Sequence, residues 1–198
     1  MESKCRTIKV ILIGSISVGK TCLIHHYKTG EFLDKIPSTQ DCSFTEIKKK
    51  YNNQVYTLNF WDTAGQEKYR SLTRTFMKNS QIVILVYSIV DKASFDDLDM
   101  WIKIINENIG EDGYVLGIAA NKSDLYKEEK VKSTLGEGYA KKVNAIFKTT
   151  SAKDHGISEL VEQLLKKYLE KYGNTQNQKG DKLGHPIPNE PIKKKSCC

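Results

Sequence analysis

Apolar residues in this chain come in short bursts separated by polar, turn-forming stretches. Ile8-Lys9-Val10-Ile11-Leu12-Ile13 is β-rich, stops at Gly14 and predicts a buried strand. Residues 19–28 read as a helix, and 31–41, polar with Pro37 inside, as a loop. Two strands follow near 42–50 and 54–61, joined at Asn52-Asn53, a pair that tolerates left-handed turn geometry and so predicts a hairpin. Residues 62–67 read as a loop and 69–78 as a short helix. Ile82-Val83-Ile84-Leu85-Val86-Tyr87 is apolar throughout, as for a strand covered on both faces. Phe95, Leu98, Trp101, Ile102 and Ile105 recur at helical spacing and predict a helix over 94–108. A strand at 115–120, a helix near 134–144 and a strand at 146–149 come next. Ile157, Leu160, Val161, Leu164, Leu165, Tyr168 and Leu169 form one stripe of a helix over 157–172.

Six strands alternating with helices predict an α/β fold, a mostly parallel sheet flanked by helices on both faces. Ligands of such sheets sit beyond the carboxyl ends of the strands. From Gly173 onward Gly, Asn, Gln, Lys and Pro dominate, and the segment holds too few large apolar residues to offset its ordering entropy. The expected division is a folded domain over 1–172 and a flexible basic tail over 173–198.

The chain has 198 residues, the size of one domain. Its net charge of +7 makes basic partners poor candidates and leaves nucleic acid or an anionic membrane open. The tail alone carries +3, from five Lys against one Asp and one Glu. Cys5, Cys22, Cys42, Cys197 and Cys198 form no ladder of disulfide spacings, and Met1–Arg6 does not read as a signal peptide, so a reducing cytosolic setting is expected. The longest apolar run, Ile82–Tyr87, is six residues and cannot span a bilayer.

Gly14-Ser15-Ile16-Ser17-Val18-Gly19-Lys20-Thr21 matches G-x-x-x-x-G-K-[ST] between a strand and a helix. Backbone N–H groups of such a turn converge on phosphate oxygens at the positive end of the helix. Lys20 would contact the β- and γ-phosphates, Thr21 would ligate Mg²⁺, and Ser17, Val18, Gly19 and Cys22 complete the cradle. The motif does not choose the base: ATPases, small-molecule kinases and GTPases share it.

Asn121-Lys122-Ser123-Asp124 follows the strand 115–120 and resembles the N-K-x-D of the small GTPases. A carboxylate there accepts from the N1–H and 2-amino group of guanine, whereas adenine would leave it unpaired. The resemblance places Asn121 on N7 and the Lys122 stem along the base and ribose. Ser151-Ala152-Lys153 resembles the family's S-A-K element, in which the Ala N–H meets guanine O6. Asp62-Thr63-Ala64-Gly65-Gln66-Glu67 resembles D-T-A-G-Q-E. That likeness implies Asp62 in the Mg²⁺ shell through water, Gly65 N–H on the γ-phosphate and Gln66 as the catalytic residue orienting the attacking water. Thr39 matches the threonine that ligates Mg²⁺ and binds the γ-phosphate, and Phe32 the aromatic packed against the base. Loops 31–41 and 63–74 would be ordered by the γ-phosphate and released on hydrolysis.

The resemblance covers residues 7–172 and implies a P-loop NTPase of the small G-domain type. Trp61-Asp62, Tyr69–Thr73, Leu85–Ser88 and the terminal Cys197-Cys198 look most like the Rab family of the Ras superfamily. The pair Cys197-Cys198 after Lys193-Lys194-Lys195-Ser196 resembles the Rab signal for double geranylgeranylation and is not C-a-a-X. Two lipids anchor stably where one is marginal, and each nearby Lys adds about 1 kcal/mol on an anionic leaflet. Implied partners are GTP and GDP, a membrane surface, an exchange factor, an activating protein, a GDP-dissociation inhibitor and effectors, with no nucleic acid, since no basic-aromatic platform is present. The implied role is a switch regulating vesicle transport on the cytoplasmic side of intracellular membranes, with a cytosolic pool. The rivals are an ATP-using phosphotransferase and a largely GTP-locked scaffold.

The chain also departs from the family pattern. Ile16 and Ser17 stand where small residues are usual, close to the γ-phosphate and to the path of an activator's arginine. Gln40-Asp41-Cys42-Ser43-Phe44 replaces I-G-V-D-F on the surface partners read, and Phe76-Met77-Lys78-Asn79-Ser80 replaces Y-Y-R-G-A. Loop 31–41 contains no arginine, so a low intrinsic rate is expected, an arginine finger being worth about 10³–10⁵ in rate.

Overall fold

The structure, a computed structural model, describes residues 6–33, 42–63, 75–110 and 113–173. In chain order it comprises β1 (Arg6–Ile13), α1 (Lys20–Thr29), β2 (Cys42–Tyr51), β3 (Gln54–Thr63), β4 (Ile82–Ser88), α2 (Lys92–Asp96), α3 (Leu98–Ile109), β5 (Val115–Asn121), a 3₁₀ segment (Ser123–Glu128), α4 (Ser133–Lys142), β6 (Ile146–Thr149) and α5 (Ser158–Tyr172). Six strands form one sheet in the order β2-β3-β1-β4-β5-β6. Only β2 runs antiparallel, to β3; the other pairs are parallel.

The apolar bursts are uniform because both sheet faces are covered. In β1, Ile8, Val10 and Leu12 face one core with Leu23 and Ile24 of α1 and Leu160, Val161, Leu164 and Leu165 of α5. Ile11 and Ile13 face the other core with Leu98, Trp101 and Ile105 of α3 and Ala140 of α4. Strand β4 alternates likewise, and all seven of its residues are buried. Burying each such aliphatic side chain contributes about 1.5–3 kcal/mol before entropy is charged against it. Gly117 in β5 admits α5 closely: a Cβ there would lie 2.6 Å from Leu164 Cδ1.

The Asn52-Asn53 hairpin is present, with φ of 45° and 61° at the two residues and Tyr51 opposite Gln54. Three boundaries differ from expectation. The first two residues of the expected loop 62–67 are strand: Asp62 and Thr63 remain in β3, Asp62 paired with Leu12 of β1 and the two with Ser43 and Cys42 of β2, and 64–67 lie outside the described residues. The expected helix 94–108 is two helices, α2 starting earlier under the Asp91 cap and α3 following Asp97, where ψ relaxes to −10°. The helix expected to reach 144 stops at Lys142, since Asn144 turns left-handed with φ 54° and Ala145 N–H bonds Ala140 O at 2.8 Å. Of the helix expected over 69–78, residues 75–78 are described; 75–77 are helical and Lys78 is already in a turn. No helix among the described residues is long and apolar enough to cross a membrane.

Candidate functional site

Strands β1, β3, β4 and β5 run parallel, so their carboxyl ends open on one edge of the sheet, and the motif residues gather there. The turn 14–19 leaves β1 with positive φ at Gly14 (145°), Ser17 (60°) and Gly19 (96°). Left-handed residues interspersed in a turn make concave N–H arrays that hold anions. Glycine is required at two of these positions for space as well. A Cβ on Gly14 would lie 2.1 Å from Val86 O, and one on Gly19 would lie 2.4 Å from Asn121 Nδ2.

Helix α1 follows at once, and no acidic residue occupies its first turn, so its positive end faces the loop undiminished. Lys20 is 5% exposed, and its ammonium donates to Gly14 O at 2.8 Å and Ser15 O at 2.9 Å. Burial pulls its pKa down to about 8, with Asp62 opposing the shift. Both acceptors of the ammonium are neutral main-chain carbonyls. Thr21 Oγ1 donates to Asp62 Oδ2 at 2.6 Å, joining α1 to the end of β3, and Thr63 Oγ1 anchors that end on Leu12 O at 2.8 Å. Cys22 is half-buried on α1, and burial raises its thiol pKa.

The second group stands at the end of β5. Asn121 is buried; its Nδ2 donates to Val18 O at 2.7 Å, and its Oδ1 accepts from Thr150 Oγ1 at 3.3 Å. Lys122 turns left-handed with φ 65°, and the 3₁₀ segment begins behind it. Ser151 Oγ, 27 residues away, donates to Asp124 Oδ1 at 2.7 Å. The same oxygen accepts from the N–H groups of Lys153 and Asp154, both at 3.2 Å. The serine thus fixes one carboxylate oxygen and shapes the turn that carries Ala152, which is buried, and Lys153, which is exposed.

The structure therefore brings Ser17, Val18, Gly19, Lys20, Thr21, Cys22 and Asp62 together, and Asn121, Lys122, Asp124, Ser151, Ala152 and Lys153 together. The Asn121–Val18 bond joins the two groups. Phe32 stands 39% exposed beyond α1. Thr39, Gly65, Gln66, Cys197 and Cys198 lie outside the described residues. Sequence reasoning missed Thr150, which pins Asn121, and the pair Asp97 and Trp101, both bonded to Ser15. Nothing in residues so far apart along the chain marks them as neighbours.

A six-stranded, mostly parallel sheet with helices on both faces and a glycine-framed turn after its first strand has the architecture of a small G domain. Residues 9–170 match the Ras family. The chain is 36% identical to the Ras-related protein Rab-21 of Homo sapiens over 181 residues, spanning 91% of this chain and 80% of that protein. It is 34% identical to human Rab-22A over 195 residues, 98% of each, and 38% identical to Rab-11B of Dictyostelium discoideum over 146 residues, 74% of this chain and 66% of that one. The chain belongs to the Ras family and, within it, to the Rab small GTPases. It is a guanine-nucleotide-binding protein and a GTP hydrolase.

Proposed function

We propose that this Rab protein cycles between GTP and GDP on intracellular membranes and regulates vesicle transport from their cytoplasmic side, with a cytosolic pool. The observation that carries the nucleotide assignment is Asp124: one oxygen is held by Ser151 at 2.7 Å, which orients the carboxylate for the two N–H donors of guanine. Adenine would offer a lone pair there instead, a costly mismatch at a charged acceptor. Asn121 reads N7, and the Lys122 stem lies along the base and ribose. The Ala152 N–H meets O6, Lys153 stands beside it, and Phe32 packs on the base. The phosphates take the N–H groups of Ser17, Val18, Gly19, Lys20, Thr21 and Cys22 and the ammonium of Lys20.

Mg²⁺ suits the oxygens that Thr21 and Asp62 bring within 2.6 Å of each other, with Thr39 joining from the loop. When bound, the ion neutralises phosphate charge. Gln66 orients the water for in-line attack on the γ-phosphate, and Gly65 N–H senses that phosphate. Domain 1–172 performs this chemistry, and tail 173–198 carries the lipid sites Cys197 and Cys198. An exchange factor, an activating protein, a GDP-dissociation inhibitor and effectors act on the cycle.

The nucleotide assignment is tested by identifying the nucleotide that co-purifies and by measuring release of phosphate from GTP against ATP; equal use of ATP would refute it. The membrane assignment predicts two geranylgeranyl groups by mass spectrometry of the protein from its own cells. Loss of Cys197 and Cys198 should move a tagged protein from membranes to the cytosol, and an unmodified terminus throughout would end this reading.

A second reading is a largely GTP-bound scaffold, favoured by Ile16, whose branched side chain is 49% exposed on the phosphate turn. On this reading a side chain there would displace Gln66 or block an incoming arginine. Ile16→Ser should raise single-turnover GTP hydrolysis, intrinsic or stimulated, by about tenfold or more, a fraction of what an arginine finger supplies. An unchanged rate in both assays would dispose of it.

A further inference from the structure

Besides the Asn121–Val18 bond, the phosphate turn is fastened at Ser15 by side chains from another element. Ser15 Oγ donates to Asp97 Oδ2 at 2.7 Å and accepts from Trp101 Nε1 at 3.5 Å. Asp97 occupies the N-cap position of α3, where a carboxylate ordinarily accepts from the first-turn N–H groups of its own helix. It makes no such bond. Its carboxylate is committed instead to a residue 82 positions earlier. Asp97 also stands at the junction of α2 and α3, with helical bonds on either side of it: its own N–H bonds Ala93 O and its carbonyl accepts from Trp101 N–H. The junction of the helices and the bond to the turn thus meet at one residue.

The consequence for the site follows from polarity. The Ser15 hydroxyl has its hydrogen given to Asp97. Its main-chain carbonyl is one of the two that hold the Lys20 ammonium. Trp101 is 4% exposed and packed in the core, so the three-part link ties the residue whose carbonyl aims Lys20 to a buried side chain of α3. A hydrogen bond to a charged acceptor is stronger than a neutral one. Asp97 is therefore well suited to the task, despite bringing a negative charge near a polyanion site: the charge is engaged and the donor lies between.

We infer that Asp97 is a positioning residue for the nucleotide site: through Ser15 it holds the phosphate turn and the Lys20 ammonium in their binding geometry and slows nucleotide release. The inference rests on the guanine-nucleotide reading of the site and adds a residue to it that touches no nucleotide.

Dissociation of a fluorescent N-methylanthraniloyl-GDP, chased with excess GDP, reads the effect directly. Asp97→Ala should release the nucleotide about tenfold faster or more, the scale of a lost hydrogen bond to a charged group. Asp97→Asn keeps an Oδ1 acceptor for the Ser15 hydroxyl and should return the rate to within about threefold of the parent. Ser15→Ala, which leaves the junction of the helices untouched, should match Asp97→Ala, and the double variant should be no faster than either alone, as for two partners of one bond. An unchanged rate in both single variants, an Asn variant as fast as the Ala variant, or additive effects in the double variant would overturn the inference. Parent protein that fails to bind the fluorescent GDP would overturn the reading of the site itself, a result distinct from all of these.

Discussion

Asp124→Asn is expected to lower affinity for GDP by about 10²–10³-fold and to create affinity for xanthosine diphosphate. The Ser151 hydroxyl bonds Oδ1 at 2.7 Å, and asparagine retains that acceptor. The substitution therefore leaves the turn in place and converts the other carboxylate oxygen, the one proposed to face the base, into an amide donor. Guanine presents N–H donors there, so a donor meets a donor; xanthine has a carbonyl where guanine has its amino group. Two hydrogen bonds to a charged group are at stake, each typically 1.5–3 kcal/mol, which sets the size of the loss at about 3 kcal/mol or more. Competition of GDP and xanthosine diphosphate for the purified variant measures both halves. Undiminished GDP binding would remove Asp124 from the base site. Loss of GDP affinity without any gain for xanthosine would mean the turn had collapsed.

Lys20→Met should abolish tight nucleotide binding, a loss of about 10²-fold or greater, because a buried ammonium facing a polyphosphate is replaced by a chain of similar length with no charge. The parent protein should show the corresponding pH signature. In the nucleotide-free fold the Lys20 pKa is depressed to about 8, by burial first and against the pull of Asp62. Phosphates raise it again on binding. Above about pH 8 binding must therefore take up a proton, and affinity should fall as pH rises. Calorimetry at pH 8.5 in two buffers of different ionisation enthalpy should find roughly half a proton or more taken up per nucleotide, and none attributable to this group in Lys20→Met. The same shift acts on folding. Between about 8 and the ordinary 10.5 the unfolded chain holds this proton more often than the folded one. Lys20 thus costs the nucleotide-free fold most below pH 8, and that cost is relieved as pH rises through the window.

Much of this was legible in the sequence because the signals were local. A strand, a glycine-framed turn and a helix lie within residues 8–28, so one motif carried both element order and chemistry. The strands that carry Asp62 and Asn121 at their ends are marked by apolar runs, and parallel topology then places the carboxyl ends of the five parallel strands on one edge. What escaped depends on distance through space. The register of β3 keeps Asp62 and Thr63 in the ladder because β1 and β2 pair with them from either side, and no property of residues 62–67 announces those partners. The division at Asp97 escaped because the apolar stripe Leu98, Trp101 and Ile105 continues the phase of Phe95 across the break. The bond to Ser15 joins residues that a chain reading treats as unrelated. Ser151 is legible as part of a motif, but its bond to Asp124 joins positions 27 residues apart.

Burial across the sheet is graded, and the gradation sets clocks. Every residue of β4 and β5 is buried, whereas β2 alternates half-buried and exposed positions along the outer edge. Amides of the central strands can meet solvent deuterium only when the whole domain opens, while those on the free side of β2 need no opening. Asn121 lies at the last position of β5 and grips the phosphate turn. A nucleotide that tightens this grip therefore lengthens the slowest clock in the molecule by stabilising the closed state as a whole, and leaves the fastest, at the outer edge, running as before.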